Sequence, residues 1–158
     1  STAISFIINY PEYTELVQEM TALVKEEISH FKMVHDKIIA RGWTLGYHRS
    51  DPYVVQLQKF FPKGGGRKQS LIHRLLYAAL IEARSCERFR LLSEELEDRE
   101  LAKFYKDLMV SEANHYTMFL GFARKYGDRK EVDQKWQDLL DYEAQIMKDL
   151  GKSETVHG

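Results

Sequence analysis

Apolar residues return every three or four positions along almost the whole chain, which is the spacing of one face of an α-helix. This spacing, together with a count of only three prolines, predicts an all-α fold. Five helical blocks are predicted, and they run from Ala3 to Ile8, from about Pro11 to Arg41, from about Gln69 to Leu96, from the cap Asp98 to Tyr126, and from the cap Asp128 to Leu150.

Residues suited to helix ends flank these blocks. Aspartate is a preferred N-cap, proline fits the first turn, and glycine often follows the last turn. The connection of about residues 42–68, here called the crossover, is long, and Asp51-Pro52 predicts a short helix within it that extends to Phe61. Residues 151–158 are predicted to form a flexible tail. Caps are predicted at Asp51, Asp98 and Asp128, a first turn at Pro11, and helix ends or breaks at Gly42, Gly64–Gly66, Gly127 and Gly151.

Three glutamates lie in the middle of the apolar faces of three separate helices. They are Glu27, Glu82 and Glu112. A carboxylate buried without compensation is very costly, and no lysine or arginine lies in the middle of these apolar rows. A divalent metal is therefore the predicted counter-charge. The apolar neighbours at helical spacing are Leu16, Met20, Leu23, Phe31, Val34 and Ile38 for the first glutamate, Leu71, Leu75, Ala78, Cys86 and Phe89 for the second, and Leu101, Tyr105, Leu108, Tyr116, Phe119 and Ala123 for the third.

Two of these glutamates are each followed by a histidine three positions later, as His30 and His115. Residues three apart share one helix face, so both side chains can reach one site. Two Glu-x-x-His pairs plus lone glutamates on the other helices are the ligand set with which a four-helix bundle holds two metal ions. Residues 1–11 contain no acid, so the fourth carboxylate is expected upstream of Ser1.

The donor types favour a particular class of metal. Carboxylate and imidazole ligands suit iron or manganese, whereas a structural zinc site would be tetrahedral and rich in Cys or His. Glu87 competes with Glu82 on the same helix, but its row is charged, which predicts a position at the edge of the site. Cys86 is predicted to be a small core residue.

A strongly basic segment surrounds the crossover. Residues 41–74 contain seven basic residues and one acid, a net charge of +6 that leaves −7 on the remainder of a chain with net charge −1. Cations beside aromatic rings are typical of proteins that bind RNA loops, although a solvated loop whose rings pack on the bundle would show the same composition. The predicted RNA-binding residues are Arg41, Arg49, Lys63, Arg67 and Lys68, and the interleaved rings are Trp43, Tyr47, Tyr53, Phe60 and Phe61.

The overall composition sets the class of protein. A length of 158 residues predicts one domain, over residues 1–150. Cys86 is the sole cysteine, so no internal disulfide can form, which fits a reducing cytoplasm. No apolar run approaches the length that spans a membrane, so no membrane partner is expected.

Several runs make the chain similar to the MiaE family, the ferritin-like di-iron hydroxylases of a modified transfer-RNA base. The resemblance covers nearly all of residues 1–150, and the most specific run is the third. The runs are Asn9-Tyr10-Pro11-Glu12-Tyr13, Lys25-Glu26-Glu27 to His35-Asp36, Glu82-Ala83-Arg84-Ser85-Cys86-Glu87-Arg88-Phe89 and Ser111-Glu112-Ala113-Asn114-His115-Tyr116, with Ser50-Asp51-Pro52-Tyr53 in the crossover.

The resemblance implies a ferritin-like four-helix bundle with a long crossover and an extra C-terminal helix. It implies an O2-dependent monooxygenase that hydroxylates the isopentenyl group of 2-methylthio-N6-isopentenyladenosine beside the anticodon of tRNA. Two non-haem iron ions would be the cofactor, and a separate reductase or ferredoxin would supply electrons. The implied metal ligands are Glu27, His30, Glu82, Glu112 and His115, with the three glutamates as the catalytic carboxylates.

Two other functional classes remain open from the residues alone. A ferritin-like iron-oxidising or iron-storage protein would use the same ligands without an RNA substrate. A non-catalytic RNA-binding helical module would keep the basic crossover without a working metal site. Metal content and assembly size are the measurements that separate the three classes.

Overall fold

The computed structural model describes residues 2–47, 50–62 and 64–150, and within these residues it contains six α-helices and no β-strand. The predicted all-α fold is confirmed. None of the helices in this described part is long and apolar enough to cross a membrane. The helices are α1 (Thr2–Asn9), α2 (Thr14–Ala40), α3 (Pro52–Gln58), α4 (Arg67–Glu95), α5 (Arg99–Tyr126) and α6 (Arg129–Leu150).

The predicted caps form in the structure because each aspartate carboxylate accepts backbone N–H groups that the first helical turn leaves without a helical partner. At the other end of α2, Gly42 adopts a φ of 73°, the left-handed conformation that favours glycine. Its N–H donates to the Ile39 carbonyl at 2.9 Å and ends the helix. The caps are Asp51 with Tyr53 N at 2.9 Å, Asp98 with Leu101 N at 3.0 Å, and Asp128 with Lys130 N at 3.0 Å and Glu131 N at 3.1 Å.

Three predicted boundaries are wrong by two or three residues. Pro11 does not open α2 but lies in a turn, closed by a hydrogen bond from Tyr13 N to the Tyr10 carbonyl at 3.2 Å. Helix α3 ends at Gln58 rather than at Phe61. Helix α4 begins at Arg67, because Gly66 already stands as its extended N-cap. The predicted break at Gly64 and Gly65 is present, with φ values of 95° and 97°.

The chain divides into two compact units, and the first comprises Ser1–His48. In this unit α1 packs on the N-terminal half of α2 and buries Phe6 against a row that includes Leu16 and Met20. The apolar row of α2 was predicted to stay inward over its whole length, and this is wrong. Phe31 is 54% exposed and Val34 is 38% exposed, whereas Leu16 and Met20 at the other end of the row are buried.

The second unit comprises Arg49–Gly158. Its centre is the long pair α4 and α5, joined through residues 96–98 and packed along their lengths with Leu71, Leu75 and Phe119 in the core. Helix α6 packs on α5 and also on α3, which itself buries Tyr53. The predicted flexible tail, residues 151–158, lies outside the described residues. One domain over residues 1–150 stays a prediction.

Candidate metal centre

Glu112 and His115 lie on the buried face of α5. Glu112 is 7% exposed and His115 is 4% exposed, so both polar side chains are inside the second unit. Leu108 precedes Glu112 by four residues and Phe119 follows His115 by four, and both of these apolar side chains are buried. The helical period therefore continues through the two polar residues, as the sequence predicts.

Glu82 reaches the same place from α4. His115 Nδ1 lies 3.9 Å from Glu82 Oε2 and 4.0 Å from Glu112 Oε1. One ligand atom from each of the three residues lies within 4.8 Å of the other two. Two carboxylates and one imidazole from two helices thus converge in a space that a metal ion can occupy.

The donor chemistry of this cluster fits a divalent cation. Glu112 is buried and forms no ion pair with a lysine or arginine among the described residues. Two carboxylates this close favour a shared positive charge, and a metal ion supplies it without a proton. Oxygen and imidazole donors without a thiolate are suited to iron or manganese.

Glu27 and His30 lie one turn apart on α2 in the first unit. His30 Nδ1 is 3.9 Å from Glu27 Oε1, so both side chains point from the same face of the helix. The side chains are 41% and 18% exposed, respectively. His30 Nε2 also lies 3.9 Å from Glu26 Oε1, a neighbour outside the predicted ligand set. The first Glu-x-x-His pair therefore has the local geometry of two ligands on one face.

Two other residues near Glu82 lie outside the cluster. Glu87 is exposed and its carboxylate pairs with Arg84, which agrees with its predicted position at the edge. Cys86 is half-buried, and burial together with the nearby Glu112 carboxylate raises the pKa of its thiol. A protonated thiol is a poor ligand, so the structure supports a packing role for Cys86.

The three predicted RNA-binding residues that the structure describes lie at helix ends. Arg41 is exposed at the C-cap of α2, where its guanidinium donates to the Lys37 carbonyl at 3.2 Å. Arg67 and Lys68 are exposed in the first turn of α4, rather than at the end of the crossover as predicted, because that helix begins two residues early. Arg49 and Lys63 lie outside the described residues.

The structure divides the five aromatic residues of the crossover into two groups. Trp43 is 64% exposed and Tyr47 is 100% exposed. Tyr53 is 1% exposed, and Phe60 and Phe61 are half-buried. Phe60 packs on Tyr142 with ring centroids 5.3 Å apart, and Phe61 on His73 with centroids 5.2 Å apart. Two rings are therefore available for stacking on a partner, and three serve packing.

Sequence reasoning missed a buried polar group in the second unit. Glu143 on α6 is 0% exposed, and Arg84 and Tyr53 both bond to its carboxylate. Its position could have been found, because Glu143 lies in the same helical row as Leu139 and Ile146. An acid inside an apolar row is the same signal that Glu112 carries on α5.

Comparison with known proteins places the chain in a family. The family model described as tRNA-(MS[2]IO[6]A)-hydroxylase (MiaE) matches residues 1–158. A relative from Pseudomonas putida, named tRNA 2-(methylsulfanyl)-N(6)-isopentenyladenosine(37) hydroxylase, is 37% identical over 132 residues, which are 84% of this chain and 63% of that protein. A relative of the same name from Salmonella typhimurium is 37% identical over 117 residues, which are 70% of this chain and 40% of that protein. The chain thus spans less than two thirds of either relative.

A solved structure shares the fold. Protein 43 with aldehyde deformylating oxygenase activity, from Synechococcus, matches 99% of this chain and 76% of its own length, with a TM-score of 0.88 and 29% sequence identity. The predicted ferritin-like helical fold, with its crossover and additional C-terminal helix, is confirmed by this match and by the helix order. The buried Glu112 and His115, the fold and the match over the whole chain lead to one conclusion: this chain belongs to the MiaE family of tRNA hydroxylases.

Proposed function

We propose that this protein is a di-iron monooxygenase that uses O2 to hydroxylate the isopentenyl group of 2-methylthio-N6-isopentenyladenosine next to the anticodon in tRNA. The substrate class follows from the family and from the names of the two relatives. The observation that carries the proposal is the cluster of Glu82 with the buried Glu112 and His115, which has the donor set of a non-haem iron site inside a member of that family.

The proposed ligands are Glu82, Glu112 and His115 from the second unit and Glu27 and His30 from the first. The support for the last two is their Glu-x-x-His spacing and their shared helix face. In a four-helix bundle two such pairs serve one pair of metal ions. The carboxylates would balance the cationic charge, and each histidine would bind as the neutral imidazole.

Bound iron would supply the activation of O2 that hydroxylation of an unactivated carbon requires. The chain's own residues keep water away from that reaction. Leu108 and Phe119 are buried beside the ligands on α5, and Ala78 is buried one turn before Glu82 on α4. An apolar environment of this kind suits a prenyl tail and protects a reactive centre from side reactions.

The basic crossover is the proposed contact for RNA. Arg41, Arg67 and Lys68 would bind phosphates of the anticodon loop, and the exposed rings of Trp43 and Tyr47 would stack on unpaired bases. The modified adenosine must leave the loop stack to bring its tail to a buried site, at a cost of a few kcal/mol. Electrons would come from a separate reductase or ferredoxin, and the expected location is the cytoplasm.

The direct test is analysis of nucleosides by mass spectrometry. Transfer RNA that carries the prenylated base is incubated with iron-loaded protein, a reductant and O2, and then digested. The expected product is heavier by one oxygen atom, and this atom derives from labelled O2. A protein with a full complement of iron that yields no such nucleoside would contradict the proposal. Glu94→Ala, an exposed position on α4, is the matched control for Glu112→Ala.

A second candidate is an oxygenase that acts on an aldehyde, favoured by the similarity to the Synechococcus protein. The same iron-loaded preparation incubated with a long-chain aldehyde separates the two activities. The basic segment and the names of the relatives favour RNA. An iron-storage role is tested in parallel by size-exclusion chromatography, because a storage protein would assemble into a cage.

A further inference from the structure

Glu143 joins three helices of the second unit at one buried point. Its Oε1 accepts hydrogen bonds from Arg84 Nε at 2.5 Å and from the Tyr53 hydroxyl at 3.0 Å. Its Oε2 accepts a second bond from Arg84, through Nη2. Arg84 belongs to α4, Tyr53 to α3 and Glu143 to α6. None of the three residues belongs to the metal cluster.

The three groups suit each other chemically. A buried carboxylate is costly unless charged and polar partners satisfy it, and a forked Arg–carboxylate pair does so with fixed geometry. The hydrogen bond from Arg84 to Glu143 raises the pKa of the guanidinium, and burial together with the Glu143 carboxylate raises the pKa of the Tyr53 hydroxyl. Both groups therefore keep their protons. A buried ion pair is by itself weak evidence for stability, but breaking it by removing one partner is strongly destabilising.

Arg84 and Glu82 both belong to α4, so the ion pair of Arg84 with Glu143 also affects where Glu82 lies. Successive residues of an α-helix are turned by about 100°, so Arg84 projects about 200° around α4 from Glu82. The ion pair with Glu143 therefore fixes the rotation of α4 from the side opposite to Glu82. If α4 turned, the pair would break and the Glu82 carboxylate would move away from His115, which now lies 3.9 Å from it.

The position of Tyr53 connects the crossover to the same point. Tyr53 is 1% exposed and belongs to α3, the short helix inside the basic segment. A second hydrogen bond between α3 and α6 runs from the Tyr142 hydroxyl to the Gln56 carbonyl at 3.3 Å, but it does not reach α4. The Tyr53–Glu143–Arg84 contact, by comparison, links α3 through α6 to the helix that carries Glu82.

We propose that Tyr53, Glu143 and Arg84 form a positioning network that holds Glu82 of the metal cluster and the crossover helix α3 in a fixed mutual arrangement. The network orients a ligand-bearing helix and the segment proposed to bind RNA, and its residues touch neither metal nor substrate. The role in orienting Glu82 rests on the metal cluster. The role in placing α3 rests on the proposed tRNA hydroxylation.

The first test measures metal affinity without any turnover. Cobalt(II) is titrated into the apo-protein without O2 and followed by its visible absorption, for the wild type, Arg84→Lys and Glu143→Gln. Arg84→Lys keeps the charge but loses the fork. Loss of a group that bonds directly to a ligand costs roughly 10–100-fold in affinity, and we expect about threefold to tenfold for this indirect contact.

The matched control is Arg90→Lys, which alters an exposed ion pair with Glu94 on the same helix. Its cobalt affinity should equal that of the wild type. Each variant is compared at a temperature where circular dichroism shows it folded, so that lower stability alone cannot change the result. Wild-type affinity in both Arg84→Lys and Glu143→Gln would overturn the role in orienting Glu82.

The second test compares two hydroxyls that both join α3 to α6. Tyr53→Phe should lower the rate of hydroxylation at saturating tRNA about tenfold per iron-loaded protein, with the RNA dissociation constant unchanged, because a small misplacement of a bound substrate is enough to slow its reaction. Tyr142→Phe should keep the wild-type rate. Equal rates in Tyr53→Phe and the wild type, or an equal loss in both variants, would overturn the role of the network.

The two tests separate the network from the proposed function. If the wild-type protein binds cobalt but hydroxylates no nucleoside, the proposed function is wrong, and the cobalt titration still decides whether the network orients Glu82. If the wild type hydroxylates tRNA and all network variants match it in affinity and rate, the network proposal is wrong and the proposed function stands.

Discussion

His115 on α5 lies with its Nδ1 3.9 Å from Oε2 of Glu82 on α4, although the two residues are 33 positions apart in the chain. This approach brings the second Glu-x-x-His pair together with the lone glutamate of another helix. Both side chains belong to the compact unit that contains α4 and α5. The contact between His115 and Glu82 joins the Glu-x-x-His pair of α5 to a cluster that has the donor atoms of a metal centre.

Glu112→Ala should abolish iron binding and hydroxylation together. Removal of one carboxylate from a buried donor set leaves too few ligands and too little negative charge for the cation, so affinity should fall at least tenfold. Metal analysis of the purified protein and circular dichroism measure the effect and the integrity of the fold. Glu94→Ala, exposed on α4, should keep its iron. Unchanged iron content in Glu112→Ala would contradict the assignment.

Metal binding should also stabilise the fold. A ligand that binds only the folded state at 100 times its dissociation constant adds about 2.7 kcal/mol to the free energy of unfolding. Urea unfolding of the apo-protein with and without iron(II), under argon, measures this difference. The Glu112→Ala variant should show no stabilisation at the same iron concentration. A wild-type midpoint that does not respond to iron would argue against a site inside the folded protein.

The double variant Arg67→Ala/Lys68→Ala should weaken tRNA binding in a salt-dependent manner while iron content stays unchanged. Each cation that contacts a single-stranded phosphate contributes about 0.7 to the slope of log K against log salt, so the slope should fall by about 1.4. Lys103→Ala/Lys106→Ala on α5 removes the same charge from exposed positions outside the crossover. An identical salt slope in the wild type and in the Arg67/Lys68 variant would remove this role.

Trp43 should report directly on base stacking. Its ring is 64% exposed, whereas the other tryptophan, Trp136, packs on Tyr116 with ring centroids 5.9 Å apart. Binding of an anticodon stem–loop should quench the fluorescence of Trp43, and Trp43→Ala should lose about 1–3 kcal/mol of binding free energy. Trp43→Phe should lose the fluorescence change and retain most of the affinity. Quenching that persists in Trp43→Phe would place the contact elsewhere.

Tyr53 should make stability depend on alkaline pH. Burial and the Glu143 carboxylate raise the pKa of this phenol above its ordinary value of 10.0, so the folded state keeps a proton that the unfolded state loses. The contribution is complete below pH 10 and declines as pH rises further, by up to about 1.4 kcal/mol per pH unit.

Urea unfolding of the wild type and Tyr53→Phe at a series of pH values measures this contribution as a difference. The stability advantage of the wild type should shrink as the pH rises above 10. Burial also raises the pKa of Tyr77, but this residue is present in both proteins and its effect cancels in the comparison. A stability difference that is constant across this range would mean that Tyr53 titrates normally in the folded protein.

Much of the fold could be predicted because helices are local. Spacing of three and four, aspartate caps and glycine ends depend on residues a few positions apart, and the predicted caps at Asp51, Asp98 and Asp128 are present. The predicted start of α2 is wrong because Pro11 fits a turn as well as a first helical turn. The same local periodicity predicts that Glu112 and His115 lie on the inner face of α5, and both side chains are buried there.

Periodicity also predicted that Glu112 faces inward, since this glutamate lies in the middle of an apolar row, but the same pattern failed for Glu27, whose side chain is 41% exposed. It did not determine which rows are covered. Phe31 follows the pattern of a core residue and is 54% exposed, because burial depends on what packs against the row and not on the row itself.

Periodicity also does not predict which aromatic rings of the crossover are exposed and which are packed. Phe60 and Phe61 are neighbours in sequence, yet Phe60 contacts Tyr142 of α6 and Phe61 contacts His73 of α4.

The sequence by itself determined the helices, their caps and the inward position of Glu112 and His115, because all of these follow from the spacing of residues within a few turns of one helix. Only the tertiary structure decided that Glu82 meets His115 and that Glu143 binds both Arg84 and Tyr53. Those contacts join residues that are tens of positions apart, and the packing of whole helices sets them. No local pattern encodes the distance between two helices, so the partners of a buried charge become visible only when the chain is folded.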